Sequence, residues 1–200
     1  MSFAEDKSGN LYVGTYGDGV DVIDVTTSEI ANIAAMPGVE GALQDGRITT
    51  LLVDSQENLW VGTFMSGLHL RKKDSDKFSV FANDPSDSAT LSSDTISSIL
   101  EMGNGNLAVG TYGGGLNILT NTGDIVRYLH DPNDPSSLSN DQITHLAHGD
   151  DNTLWIATLG GGLNCLDLDT KEFMRIPLES NNILSVLSTD DAIWFTTNNL

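Results

Sequence analysis

The side chains with the greatest potential for catalysis are four histidines and a single cysteine, Cys165. None of the histidines (His69, His130, His145 and His148) lies beside a nucleophile or a carboxylate at a spacing typical of a catalytic site. His145 and His148 are three residues apart on a predicted strand, so their side chains point to opposite faces and do not readily share a metal ion. The sequence therefore predicts no catalytic residues, no metal site and no cofactor.

Side chains suited to binding recur at fixed places instead. An aromatic residue directly follows a recurring threonine at Tyr16, Phe64 and Tyr112, and Leu159 takes the equivalent place once more. Such a row could stack on a sugar or on another planar or amphipathic ligand, or it could pack on a neighbouring connector. With the charged residues at the same end of the fold, the candidate ligand-binding residues are Tyr16, Asp18, Arg47, Phe64, Asp94, Tyr112 and Asp141.

Three aspartates, Asp45, Asp94 and Asp141, are predicted to be equivalent, because each precedes a predicted strand. Two roles are open to them. They could accept hydrogen bonds from turn amides, or they could form an acidic ring that attracts cationic or polyhydroxyl ligands.

These recurrences come from a repeat that runs through the 200-residue chain. Residues 10–20 (NLYVGTYGDGV) return as residues 58–68, 106–116 and 153–163, and a weaker copy begins at residue 192. The anchoring threonines follow one another at intervals of 48, 48, 47 and 39 residues: Thr15, Thr63, Thr111, Thr158 and Thr197. Self-similarity at such a period indicates a repeat architecture.

Each period contains four short strand-like runs, here called strands A to D, separated by turn residues. Four short antiparallel strands per repeat of this length are typical of a β-propeller blade, and no stretch shows a helical period. The sequence predicts an all-β propeller, as a single fragment over residues 1–200 that forms an incomplete arc of about four and a half blades of a seven-bladed ring. The predicted blades cover residues 1–33, 47–81, 95–128 and 142–176, with a partial blade at 183–200.

The B–C turns and the D–A connectors leave a four-stranded meander at the same end. One face, here called the loop face, should collect the B–C turns at residues 15–19, 63–67, 111–115 and 158–162 and the long connectors at 34–46, 82–94 and 129–141. Long loops held on a rigid scaffold are common binding sites. The loop face is therefore the predicted location of the candidate residues.

The repeat also resembles a known family. The run Asp-x-x-Gly-Asn-Leu-Tyr-Val-Gly-Thr that begins at Asp6, together with the Asp-Pro…Ser-Leu-Ser connector of residues 130–143, is similar to the two-component regulator propeller repeat. That resemblance implies an extracytoplasmic, periplasmic sensor propeller of a hybrid histidine kinase or a membrane-bound diguanylate cyclase. It implies a small-molecule or glycan ligand and, as partners, the remaining blades and output domains of a parent receptor. A propeller lyase and a protein-interaction scaffold are the alternatives.

The charge excludes other classes of partner. The chain has 28 acidic and 9 Lys or Arg residues, for a net charge of −19. Nucleic acids and anionic membrane surfaces would repel it, so neither is an expected partner, whereas a homodimer is compatible with this composition. One cysteine allows no internal disulfide bond.

Overall fold

The computed structural model describes residues 2–150 and 152–198, so the predicted blade limits at residues 1 and 200 lie outside the described residues. Within these ranges the chain forms 18 strands and no helix. In chain order the strands are β1 (Ser2–Glu5), β2 (Leu11–Gly14), β3 (Val20–Ile23), β4 (Ile30–Ile33), β5 (Ile48–Val53), β6 (Leu59–Thr63), β7 (Leu68–Arg71), β8 (Phe78–Phe81), β9 (Ile96–Glu101), β10 (Leu107–Thr111), β11 (Leu116–Leu119), β12 (Ile125–Tyr128), β13 (Ile143–His148), β14 (Thr153–Thr158), β15 (Gly162–Asp167), β16 (Phe173–Ile176), β17 (Ile183–Thr189) and β18 (Ala192–Thr197).

The described strands form four four-stranded antiparallel sheets and one two-stranded sheet. Strands pair in sequence order within each sheet, as β1-β2-β3-β4, β5-β6-β7-β8, β9-β10-β11-β12, β13-β14-β15-β16 and β17-β18. The fold prediction, an all-β propeller arc with four-stranded blades, is confirmed. The five sheets are numbered one to five below.

The first strands of successive sheets lie side by side, β1 against β5, β5 against β9, β9 against β13 and β13 against β17. Strand A is therefore the innermost strand of each sheet, and the hydrophobic core lies between neighbouring sheets. At some of these contacts the neighbouring sheets approach so closely that only a residue without a side chain fits. A Cβ built on Gly110 of β10 would lie 2.6 Å from Cγ2 of Ile143 on the next sheet.

The end opposite the loop face carries the A–B and C–D turns and is here called the turn face. Its turns are closed by side chains, as at Asp54, whose Oδ1 accepts hydrogen bonds from the amides of Gln56 and Asn58. The other oxygen, Oδ2, accepts a hydrogen bond from Nε1 of Trp60 at 2.8 Å. This carboxylate therefore fixes both the turn and an indole buried between sheets two and three.

Candidate functional site on the loop face

The B–C turns on the loop face are held by two sets of hydrogen bonds. Within each turn the anchoring threonine closes the loop, as where Oγ1 of Thr63 donates to the carbonyl of Gly67 at 2.9 Å. Between sheets, the amide of Gly67 donates to the carbonyl of Asp94 at 3.0 Å, just before β9. The same bond to the next sheet starts from the amides of Gly19, Gly115 and Gly162. The loop face is thus a rigid platform whose turns are bonded to the following sheet.

These bonds also fix the true register of the aspartates. The carbonyls that accept from the B–C turns belong to Gly46, Asp94, Asp141 and Asn181, so Gly46 is the equivalent of Asp94. The predicted equivalence of Asp45 with Asp94 and Asp141 is therefore wrong. Asp45 lies one position earlier, where its partners in the other sheets are Ser93, Asn140 and Ser180, and each accepts a hydrogen bond from the amide two residues on.

The carboxylates of Asp94 and Asp141 each accept a hydrogen bond from the D–A connector that ends at that aspartate. Oδ1 of Asp94 accepts a hydrogen bond from the amide of Asn83, and Oδ1 of Asp141 accepts one from the amide of His130, both at 2.7 Å. Each carboxylate therefore joins the two ends of a long D–A connector. Of the two roles open to these aspartates, the geometry favours bonding to backbone amides over an acidic ring.

The predicted aromatic residues lie exposed on the loop face. The exposed fractions are 72% for Tyr16, 37% for Phe64 and 46% for Tyr112. Tyr16 and Phe64 meet edge to face, with ring centroids 6.3 Å apart. Their backbones are tied to the innermost strands, since Tyr16 bridges Arg47 just before β5 and Tyr112 bridges Gln142 just before β13. The three side chains form the aromatic row (Tyr16, Phe64 and Tyr112) near the axial side of the face.

An ion pair between Arg47, which is partly exposed, and the buried Asp45 supports the middle of this row. Nε and Nη2 of Arg47 donate to the two carboxylate oxygens of Asp45, each at 2.9 Å, and the guanidinium lies 5.1 Å from the ring centroid of Phe64. Asp45 is buried and also accepts from the amide of Met65. Burial opposes ionisation of Asp45, but the hydrogen bonds and charge of Arg47 outweigh it and lower the pKa of the carboxyl. Arg47 is thereby neutralised, and the row beside it carries no net charge from this pair.

We expect Asp45→Asn to lower the free energy of unfolding by about 1–3 kcal/mol at neutral pH, because a charged acceptor of four donors is replaced by a neutral one. Since the folded state lowers the pKa of Asp45, its stabilisation is complete above the ordinary value of 3.8 and disappears as the pH falls through the folded value. Urea denaturation at stepped pH measures this difference. The exposed Asp18→Asn should change stability by less than about 0.5 kcal/mol. A difference between Asp45→Asn and the wild type that persists unchanged in acid would contradict the charge-based role.

Asp18 itself contributes backbone contacts. Its amide donates to Oγ1 of Thr15, and its carbonyl accepts from Nδ2 of Asn32. The side chain is exposed at the tip of the first B–C turn, next in the chain to Gly17 and two residues from Tyr16. The structure thus brings Tyr16, Phe64 and Arg47 into contact and leaves the carboxylates of Asp94 and Asp141 engaged with their connectors.

The long connectors are pinned to the sheets, a feature that the sequence did not reveal. A leucine of each connector (Leu43, Leu91 and Leu138) is buried in the core between sheets. Arg127 on β12 donates to the carbonyls of Asp87, Thr90 and Leu91, and Arg175 on β16 repeats the arrangement one sheet on. The 48-residue spacing of these two arginines is the signal that could have identified them.

Buried polar residues of the C strands hold the same connectors. Asn117 and Asn164 each accept from the amide of a connector serine and donate to its hydroxyl. In sheet two the equivalent residue is His69, whose Nε2 accepts from the amide of Gln44 at 3.2 Å. Burial lowers the pKa of His69 to about 4, so the imidazole is neutral. This histidine therefore serves as a structural acceptor.

The other histidines also lie apart from one another. Nδ1 of His130 is 2.7 Å from the carbonyl of Leu138, and burial lowers the pKa of His145 on β13, where His148 is exposed. Cys165 is buried in β15 and unpaired, and burial raises its pKa. Within residues 2–150 and 152–198, no three His, Cys, Asp or Glu side chains are grouped so as to hold a metal ion. Nor does any described segment form a helix long and apolar enough to cross a membrane.

Comparison with known families gives a match for part of the chain. Residues 42–65 match the family model described as two component regulator propeller, which confirms the predicted resemblance. The matched segment includes Asp45, Arg47 and Phe64, so the ion pair and the aromatic residue above it fall within this repeat. No curated protein matches the chain.

Solved structures with the same fold include two from B. thetaiotaomicron. The chain superimposes with a TM-score of 0.86 on a protein described as the extracellular domain of a hybrid two component system, BT3049, with 22% identity over 98% of this chain and 27% of that one. It superimposes with a TM-score of 0.75 on the extracellular domain of a one component system, BT4673, with 19% identity over 98% of this chain and 26% of that one. The chain thus spans about a quarter of the length of these structures, and the likeness shows the propeller fold.

Proposed function

We propose, from the two-component regulator propeller repeat at residues 42–65, that the chain is part of the signal-input propeller of a bacterial signal-transduction receptor. Its role is to bind a small molecule or an oligosaccharide on the loop face, without catalysing a reaction. The extracellular assignment of the two B. thetaiotaomicron neighbours supports an extracytoplasmic, periplasmic location. Output domains, as a histidine kinase or a diguanylate cyclase, and further blades would be supplied by the parent receptor.

The aromatic row is the observation that carries this proposal. Exposed rings on a rigid backbone present apolar faces without a cost in ordering the loop, and the faces of pyranose rings are apolar enough to stack on them. Asp45 neutralises Arg47 beside the row, so this part of the surface favours an uncharged polyhydroxyl ligand over an anion. The exposed side chain of Asp18 adds a hydrogen-bond acceptor at the edge of this surface.

We expect Tyr112→Ala to abolish the rise in melting temperature that a bound saccharide causes, while leaving the melting temperature of the free protein nearly unchanged. The ring is 46% exposed, so its removal costs little packing. Differential scanning fluorimetry with a panel of neutral mono- and oligosaccharides provides the measurement. Val126→Ala is the matched control, because Val126 lies in the same sheet, is also 46% exposed and belongs to the outermost strand, β12.

Three outcomes would count against sensing on this face. A large loss of stability in free Tyr112→Ala would show that the ring packs on the fold. Equal loss of the ligand effect in Val126→Ala would show that the row is not specific. Conversion of the saccharide into a product by the wild-type chain would favour a lyase.

A further inference from the structure

A cavity of about 200 Å³ opens on the turn face, between sheets one and two, far from the aromatic row. Its walls come from the A–B turns of both sheets and from the end of β7 with the turn that follows. The basic residues that line it are consecutive in the chain: Arg71, Lys72 and Lys73. The cavity therefore gathers three of the nine Lys and Arg residues of a chain whose net charge is −19.

Two of these three cations are not neutralised. Among the residues that the structure describes, neither Arg71 nor Lys72 forms an ion pair with a carboxylate. The guanidinium of Arg71 lies over the ring of Phe78, 5.9 Å from its centroid, which fixes the end of a half-buried side chain at the cavity wall. The hydroxyl of Tyr12 lies beside this guanidinium. Because no carboxylate pairs with Arg71, the remaining N–H donors of its fork are available to a ligand.

The carboxylates that share the cavity are already engaged. Oδ1 of Asp6 accepts from the amides of Ser8 and Asn10, and Oδ2 accepts from Asn10 and from the hydroxyl of Tyr12. Glu57 pairs with Lys73 and lies 4.0 Å from Nζ of Lys7 on the neighbouring turn. Neither acid neutralises Arg71 or Lys72, and the local balance is positive.

The corresponding cavities between later sheets lack this basic run. At the places equivalent to Arg71, Lys72 and Lys73, sheet three has Leu119, Thr120 and Asn121. Sheet four has Leu166, Asp167 and Leu168 there. Cavities of similar size are present there. The one between sheets two and three is lined by Leu119 and Thr120 and, from sheet two, by Lys72, and the one between sheets three and four is lined by Leu168 and Lys171. The propeller fold therefore forms such a cavity without a guanidinium and without three consecutive cations, and the fold does not account for the run at residues 71–73.

We propose that the cavity between sheets one and two is a binding site for a small oxyanion, such as the carboxylate of an acidic sugar or a sulfate ion. The fork of Arg71 matches two oxygens of either group, and Lys72 supplies a second positive charge. The hydroxyl of Ser8 on the same wall is a further hydrogen-bond donor. This site is on the opposite face from the aromatic row and does not depend on the function proposed for that row.

The test is isothermal titration calorimetry of the full chain with sodium sulfate, sodium glucuronate and uncharged glucose at constant ionic strength. We expect saturable binding of at least one of the two anions, whereas any heat from glucose should be unaffected by substitutions in this cavity. Tighter binding of glucuronate identifies the carboxylate of a sugar acid as the ligand group, and tighter binding of sulfate identifies a free inorganic oxyanion. Arg71→Leu, which installs the residue found in sheets three and four, should weaken binding about tenfold to a hundredfold.

Two further variants keep the result decisive. Lys72→Thr introduces the residue that sheet three has at the equivalent place, Thr120, and should also weaken binding. It tests the proposal if Arg71→Leu does not fold. Lys171→Gln removes the same charge from the cavity between sheets three and four and should leave the affinity unchanged. Absence of saturable anion binding, unchanged affinity in a folded Arg71→Leu or Lys72→Thr, or an equal loss in Lys171→Gln would overturn the proposal.

Discussion

Gly67→Ala should lower the free energy of unfolding by about 2–5 kcal/mol, combining about 1–2 kcal/mol of left-handed backbone strain with about 1–3 kcal/mol of overpacking. The backbone φ of Gly67 is 74°, and an added Cβ would lie 2.2 Å from the carbonyl oxygen of Phe81. Because that oxygen is part of the backbone, it cannot move aside without displacing the end of β8. Chemical denaturation monitored by intrinsic fluorescence measures the change.

Two other glycines separate the strain from the clash. Gly113 has a φ of 99° but no atom within 4 Å of an added Cβ, so Gly113→Ala should cost only about 1–2 kcal/mol. Gly103 has neither a positive φ nor a neighbour within 4 Å, and Gly103→Ala should change stability by less than about 0.5 kcal/mol. Equal effects in the three variants would contradict the role given to the B–C turn.

Leu138→Ala is expected to destabilise the protein by about 2–5 kcal/mol, the usual cost of truncating a buried leucine. Leu138 belongs to the connector at residues 129–141, yet it is fully buried in the core formed with Leu116, Ile143 and Ile156. The shift of the urea midpoint, at unchanged slope, gives the loss of stability.

Leu129 of the same connector provides the control, because half of its surface is exposed. Leu129→Ala should change stability by less than about 0.5 kcal/mol. If the two variants behaved alike, Leu138 would not anchor this connector, which would contradict the pinned arrangement described for residues 129–141.

The fold could be predicted from the sequence because a strand pattern that is weak in one repeat recurs in the following repeats. A single run such as residues 106–111 is too short to distinguish a strand by itself, but its recurrence at 48-residue steps fixes the strands and turns of a blade together. Glycine positions carried further information, since a small residue is needed wherever the next sheet approaches, as at Gly110.

The candidate site was predictable only in part. The aromatic row follows the anchoring threonines at constant distance, so its position could be read from the chain. Asp45 was misaligned although its spacing could have shown the difference, because it lies three residues before the isoleucine that begins its strand, whereas Asp94 and Asp141 each lie two residues before the equivalent isoleucine. The hydrogen bonds between sheets establish the correct register. The pairing of Asp45 with Arg47 depends on contacts between side chains, and the cavity beside Arg71 depends on contacts between sheets. The spacing of a sequence repeat specifies neither kind of contact.

Ligand binding by the aromatic row is tested most directly by NMR of the aromatic side chains during titration with a neutral oligosaccharide that raises the melting temperature. We expect the ring resonances of Tyr16, Phe64 and Tyr112 to shift and to saturate together, while those of Trp60, buried between sheets two and three, stay in place. Saturable binding that leaves the three exposed rings unchanged would contradict a ligand-binding role for the loop face.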